Sequence, residues 1–217
     1  MLPKLHYISQ GNSTEEHLIN IRNACTFGAE LVQLRLKGFT DKEVLRTAEM
    51  AREITESYQT RLIINDHYKI AKVVKADGVH LGKKDISIGI ARKALTSWQI
   101  IGGTANTIQD CNALIREKVA YIGLGPFCFT NTKKQLSPVL GHNGYLTLLE
   151  ALNTTIPIIA VGGITLKDVP EIMETGVYGI AASGEITKDF NNIKHFNSLL
   201  KGTELQEQIW MPDQENT

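Results

Sequence analysis

Short apolar runs recur along this chain, and polar, helix-patterned segments separate them. The runs are Leu5–Ser9, Leu31–Lys37, Leu62–Asp66, Gly78–Gly82, Ile100–Ala105, Ala120–Gly125, Ile158–Gly162 and Tyr178–Ser183. Each has the length and β-branched content of a strand, and the segments between them space their apolar positions as one face of a helix. Four segments open with a capping-box pattern, Ser13…Glu16, Thr40…Glu43, Thr107…Asp110 and Thr165…Asp168, a few residues after a strand. This strand–helix alternation, with no linker or low-complexity break, predicts an α/β fold, a single (β/α)8 TIM barrel over residues 1–202. An open doubly wound sheet is the rival. It would carry a glycine-rich first turn, and Gln10-Gly11-Asn12-Ser13 is not one. Residues 203–217 are polar apart from Ile209, Trp210 and Met211 and read as a mobile tail that could dock at a partner chain.

One strand breaks the expected polarity. In Gln33-Leu34-Arg35-Leu36-Lys37, side chains alternate between faces, so Gln33, Arg35 and Lys37 share one face while Val32, Leu34 and Leu36 share the other. In a barrel one face packs on helices and the other points inward. An amide and two cations then point into the protein, where unpaired charge costs several kcal/mol. The arrangement calls for an anion, with phosphate or pyrophosphate the natural candidate.

Bulk properties narrow the function classes. Lys plus Arg and Asp plus Glu balance at 23 each, so no global field attracts nucleic acid or an anionic membrane. The 217 residues contain no apolar stretch approaching the roughly 18 needed to span a bilayer, and Met1–Tyr7 shows no signal-peptide pattern. Cys25, Cys111 and Cys128 are odd in number and widely spaced, which suggests neither a disulfide framework nor a zinc site. A reducing cytoplasm fits best, and the sequence leaves a homo-oligomer open.

Barrel enzymes place their chemistry at the C-terminal strand ends, and polar or glycine residues of this chain gather there. Gln33, Arg35 and Lys37 end the second strand, Asn65 and Asp66 the third, and Thr104 the fifth; Asp85 follows the fourth. Asp66 and Asp85 suit Mg2+, which takes one or two carboxylates plus phosphates and waters, although an Asp after a strand also caps helices. Thr130, Asn131, Thr132 and Lys133 lie in a long loop from Phe127 to about Asn143, and loops of that length are usually functional or disordered. Hydroxyls and a lysine suit phosphate there, as they would suit a solvated turn. Gly162-Gly163 and Ser183-Gly184 end strands seven and eight, where barrels often hold a phosphate with backbone N–H groups. His6, His67 and His80 are assigned no chemistry, because a strand histidine is more often a satisfied core residue. Cys128 has no evident base beside it.

Taken together, Gln33–Lys37, Ile64-Asn-Asp66, Ala76–Gly82 with Asp85, Ile101–Thr104, Tyr121–Phe127 with Thr130–Lys133, and Ala160–Ile164 resemble the thiamine phosphate synthase family. The resemblance runs from Leu5 to about Leu200. It implies a transferase that joins 4-amino-2-methyl-5-hydroxymethylpyrimidine diphosphate to 4-methyl-5-hydroxyethylthiazole phosphate, or its carboxylated form. The products are thiamine monophosphate and pyrophosphate. It further implies that the run Gln33, Leu34, Arg35, Leu36 and Lys37 binds substrate with Asn65 and Thr104. Arg35, Lys37 and Lys133 are the implied catalytic cations, and Asp66 and Asp85 carry Mg2+. Thr130, Asn131, Thr132, Gly163, Ser183 and Gly184 take the thiazole phosphate. In the family, diphosphate departs first and the thiazole nitrogen attacks the resulting cation. Two departures stand out: the strand-eight hydroxyl, Ser183, is shifted by one place, and Lys83 stands where Gln is common. A thiazole tautomerase shares the barrel, but that branch carries a His after the strand-six glycine, where this chain has Gly125-Pro126. A non-catalytic barrel that binds a phosphorylated ligand is the second alternative.

Overall fold

The computed structural model describes residues 1–129 and 138–206, the side chains of 203–206 excepted. Eight parallel strands close into a barrel in sequence order. They are β1 (Leu5–Ile8), β2 (Leu31–Leu34), β3 (Arg61–Asn65), β4 (Gly78–Leu81), β5 (Ile100–Ala105), β6 (Tyr121–Leu124), β7 (Ile158–Val161) and β8 (Gly179–Ala182). The helices are α1 (Thr14–Thr26), α2 (Asp41–Ser57), α3 (Tyr68–Val73), α4 (Ile88–Ala94), α5 (Ile108–Arg116), α6 (Gly141–Ala151), α7 (Val169–Glu174), α8 (Gly184–Lys188) and α9 (Asn192–Gln206). α9 runs past residue 202, where the sequence placed the end of the barrel. β1 closes the ring by pairing with β8, His6 opposite Ala181.

Local chemistry starts several helices as expected. Thr40 and Thr107 form complete capping boxes with Glu43 and Asp110. Ser13 accepts from the Glu16 N–H, but the Glu16 carboxylate takes the Asn12 N–H rather than that of Ser13. Asp168 accepts from both the N–H and the hydroxyl of Thr165, fixing a short 3-10 turn ahead of α7.

Most strands are shorter than the apolar runs suggest, and β2 most of all. β1 ends at Ile8, so the Arg35 N–H finds the Ser9 hydroxyl at 3.1 Å instead of a strand carbonyl. Arg35, Leu36 and Lys37 therefore lie beyond the ladder. This frees the polar side chains to follow the barrel mouth.

Two apolar layers form, as alternation requires. Val32, Leu34, Ile64, Val79, Ile101, Ile122, Leu124 and Ile180 belong to the large cluster between sheet and helices. Phe196 and Leu200 join it from α9, which packs against β1. Inside the barrel, Tyr121, Ile159 and Ala181 pack with Ile8, Ile100 and Val161. Tyr121 is wholly buried, and a Cβ on Gly102 would lie 2.1 Å from its ring. The glycine thus makes room for a tyrosine that fills the barrel beneath its mouth.

Candidate active site

The C-terminal mouth opens into a cavity of about 630 Å³, within the range of small-molecule sites. Gln33, Arg35, Lys37, Asn65, Asp66, Asp85, Thr104, Gly163, Ser183 and Gly184 all line it. Leu34 and Leu36, counted in the substrate-binding run, do not. They are 1% and 3% exposed and pack in the outer core, the opposite face of the alternation, so that assignment is corrected for their side chains. Thr130, Asn131, Thr132 and Lys133 lie outside the described residues.

One wall is built from β2 and β3. Gln33 donates from Nε2 to Asn65 Oδ1 at 2.8 Å, both side chains being buried. That bond turns the Asn65 amide nitrogen to a place where it has no partner among the described residues. A buried donor without an acceptor costs about 1–3 kcal/mol. Arg35 is half-buried, and burial pushes its pKa down although the nearby Asp66 charge opposes this. No carboxylate lies within ion-pairing distance of its guanidinium among the described residues. Guanidinium does not give up its proton in proteins, so the group remains a partly desolvated cation. Lys37, half exposed, pairs with Asp66.

The two aspartates face each other. Asp66 sits at φ 66°, a left-handed conformation that Asp tolerates, and its N–H is held by the His80 carbonyl at 2.9 Å. Asp85 accepts the Gly82 N–H at 2.6 Å. Its carboxyl is pushed above the usual range by burial first and by the neighbouring Asp66 next. Two carboxylates that repel in this way are relieved by a shared cation. Among the described residues no group of three or more His, Cys, Asp or Glu could hold a metal. A carboxylate pair without further protein ligands suits Mg2+, which keeps waters and takes phosphate oxygens.

The opposite wall is mostly backbone. Gly162 and Gly163 have φ of 104° and 68°. A Cβ at Gly163 would lie 2.4 Å from the Phe129 carbonyl oxygen. Only glycine fits, both by conformation and by close approach. Ser183 precedes α8, and its hydroxyl donates to the Ile8 carbonyl at 2.8 Å. Its proton is thereby committed to the barrel, which leaves backbone N–H groups at Gly163 and Gly184 as the donors of this wall.

Sequence reasoning missed the floor. His80 and Tyr121 line the cavity from below, and Asn106, Lys83, Lys84 and Glu185 extend its rim. Lys83 is tied to Asp110 at 2.8 Å. The signal for His80 was present: alternation in Gly78-Val79-His80 puts it on the face opposite the buried Val79, hence inward. Burial pushes the Cys128 thiol up, away from the thiolate that a nucleophile needs.

Comparison with known proteins agrees with this geometry. The family model described as thiamine monophosphate synthase matches residues 5–186. The chain belongs to that family. A thiamine-phosphate synthase of Flavobacterium johnsoniae is 47% identical over 191 residues, covering 87% of this chain and 90% of the relative. One from Flavobacterium psychrophilum is 46% identical over 93% of this chain and 99% of its own length. Among solved structures, the thiamine phosphate pyrophosphorylase of Pyrococcus furiosus superposes with a TM-score of 0.77 at 25% identity, covering 92% of this chain and 96% of the other. No helix among the described residues is long and apolar enough to cross a membrane.

Proposed function

We propose that this synthase-family barrel couples a pyrimidinylmethyl diphosphate to a thiazole phosphate, giving thiamine monophosphate and pyrophosphate. The observation that carries the reading is the half-buried Arg35, without a carboxylate partner among the described residues, beside the repelling pair Asp66 and Asp85. A cation and a carboxylate pair at one mouth match a metal-bound diphosphate better than any neutral ligand. Asp66 and Asp85 would hold Mg2+, which supplies charge neutralisation for the diphosphate oxygens.

Arg35 and Lys37 then stabilise the negative charge that grows on the leaving diphosphate. Lys37 exchanges its Asp66 partner for the ligand. Gln33 and Asn65, already bonded to each other, present amide hydrogens toward the pyrimidine and its diphosphate. Thr104 adds a hydroxyl. Gly163 and Gly184 offer backbone N–H groups to the thiazole phosphate on the opposite wall, and Thr130, Asn131, Thr132 and Lys133 complete it as the family resemblance implies. Breaking the carbon–oxygen bond gives a cation stabilised by the pyrimidine amine, and the thiazole nitrogen attacks it. Such a reaction needs preorganised charge and alignment rather than a strong base or nucleophile. This accords with the raised Cys128 thiol. A cytoplasmic setting suits an enzyme of such substrates.

The test is a coupling assay with both substrates, in Mg2+ or in EDTA, with thiamine phosphate read as fluorescent thiochrome. Magnesium-dependent product supports the reading. Folded protein that binds thiazole phosphate without coupling would transfer the assignment to a tautomerase or a binding protein.

A further inference from the structure

We propose that Tyr121 and His80 are positioning residues that force the Thr104 hydroxyl to act as a hydrogen-bond donor into the cavity, toward an anionic ligand oxygen. The proposal takes from the synthase reading only the identity of that oxygen, on the diphosphate.

The observations form a chain. The Tyr121 hydroxyl lies 3.1 Å from His80 Nδ1, and His80 Nε2 lies 2.9 Å from the Thr104 hydroxyl. The His80 ring stacks on Tyr121, with centroids 5.5 Å apart and planes 26° apart. A Cβ on Gly123 would come within 3.1 Å of His80 Cε1, so the glycine leaves space for the imidazole in this pose. Thr104 is half-buried and lines the cavity.

Donor and acceptor capacity sets the direction. A neutral imidazole donates from one nitrogen and accepts at the other. Tyr121 is wholly buried, and His80 is the hydrogen-bond partner of its hydroxyl among the described residues. Burial also pushes its pKa up, so it keeps its proton. If His80 carried hydrogen on Nδ1, the buried phenol would have no acceptor, which is unfavourable. Tyr121 therefore donates to Nδ1, and the hydrogen of His80 sits on Nε2 and points at the Thr104 oxygen. With that oxygen accepting from His80, the threonine hydrogen is turned away from the floor and toward the ligand. The other histidine against Tyr121 does not compete: His6, edge-on to the phenol ring, has Nε2 3.0 Å from the Pro3 carbonyl and, since a carbonyl only accepts, must be its donor.

Nitrogen-15 histidine NMR of the full chain tests the direction without reference to catalysis, with His80→Gln assigning the signal. The expected result is a neutral His80 with hydrogen on Nε2; hydrogen on Nδ1, or on both nitrogens at neutral pH, overturns the proposal. Function is tested by a cycle of Tyr121→Phe and Thr104→Val. Tyr121→Phe should lower kcat about tenfold with little change in KM for the pyrimidine diphosphate, on the scale of a weakened preorganised donor. In the Thr104→Val background it should have no further effect, and Thr104→Ser should retain activity. Losses that simply multiply overturn the proposal. If the chain shows no coupling activity, inorganic pyrophosphate affinity replaces kcat in the same cycle. The synthase reading then fails on the assay while the relay still stands or falls on the tautomer. Should Tyr121→Phe not fold, the wild-type tautomer alone decides.

Discussion

The two ends of the barrel use the same residue types to opposite ends. At the N-terminal mouth, charges and amides are matched to partners. Arg52 donates to Asp77 at 2.8 Å, and the same carboxylate oxygen accepts the Leu62 N–H at 2.8 Å. Gln99 donates to the carbonyls of Ala71 and Ala76, and Thr60 to that of Ala29. Arg52 Nε is the buried exception. At the C-terminal mouth, among the described residues, Arg35 lacks a carboxylate partner and Asn65 keeps an unsatisfied amide, and Asp66 faces Asp85. Matched polar groups hold a fold, whereas unmatched ones await a ligand and cost stability until it arrives. The difference supports a ligand site at the C-terminal mouth.

That contrast breaks if the two mouths respond alike to mutation. Arg35→Ala should lower coupling turnover by about ten- to a thousandfold, the scale of a lost preorganised charge, while the thermal midpoint stays level or rises. A clear fall in the midpoint would make Arg35 a structural residue. Asp77→Ala at the other mouth should do the reverse. It should cost about 1–3 kcal/mol in urea unfolding, reduced by its partial exposure, with turnover per folded molecule unchanged. A lost turnover would couple the two ends.

The interior between the mouths should make stability depend on pH. Burial pushes His6 down from the ordinary 6.5 to about 3, so the folded protein holds it neutral. The unfolded chain binds that proton near 6.5, so acidification favours unfolding. Stability should fall by up to about 1.4 kcal/mol per pH unit from this group as pH drops from about 6 to 4. His17, also pushed down mainly by burial, adds to the same limb. His6→Gln should flatten the limb by about one proton. An unchanged slope would mean that His6 is already charged in the fold.

Much of this architecture was legible in the sequence because period two and period 3.6 are local properties. The strands and the inward turn of Gln33 and Arg35 needed only alternation plus the knowledge that both faces of a barrel strand are covered. What alternation could not say was where a strand stops. The Arg35 N–H leaves the ladder for the Ser9 hydroxyl, a partner distant in sequence. Leu34 and Leu36 were included with the substrate-binding run because they are contiguous with it, yet contiguity along a strand means opposite faces. His80 was assigned no chemistry, yet it lines the cavity; alternation could turn it inward, but nothing in its sequence neighbours reveals that Tyr121 and Thr104 meet it across three strands. Ser183 was read as part of a phosphate cradle, and the sequence could not show that its hydroxyl donates to the Ile8 carbonyl on the first strand.

The pairing of β1 with β8 has a consequence for the birth of the protein. β1 is flanked on one side by β2 but must keep its other edge open until Gly179–Ala182 have been made. An open edge is a template for wrong partners. For most of its synthesis the chain is an unclosed sheet carrying Leu5 and Tyr7, residues that the finished molecule hides behind α9. The same ring that gives the mature enzyme no edge makes its nascent form the stage most exposed to aggregation and most in need of a chaperone.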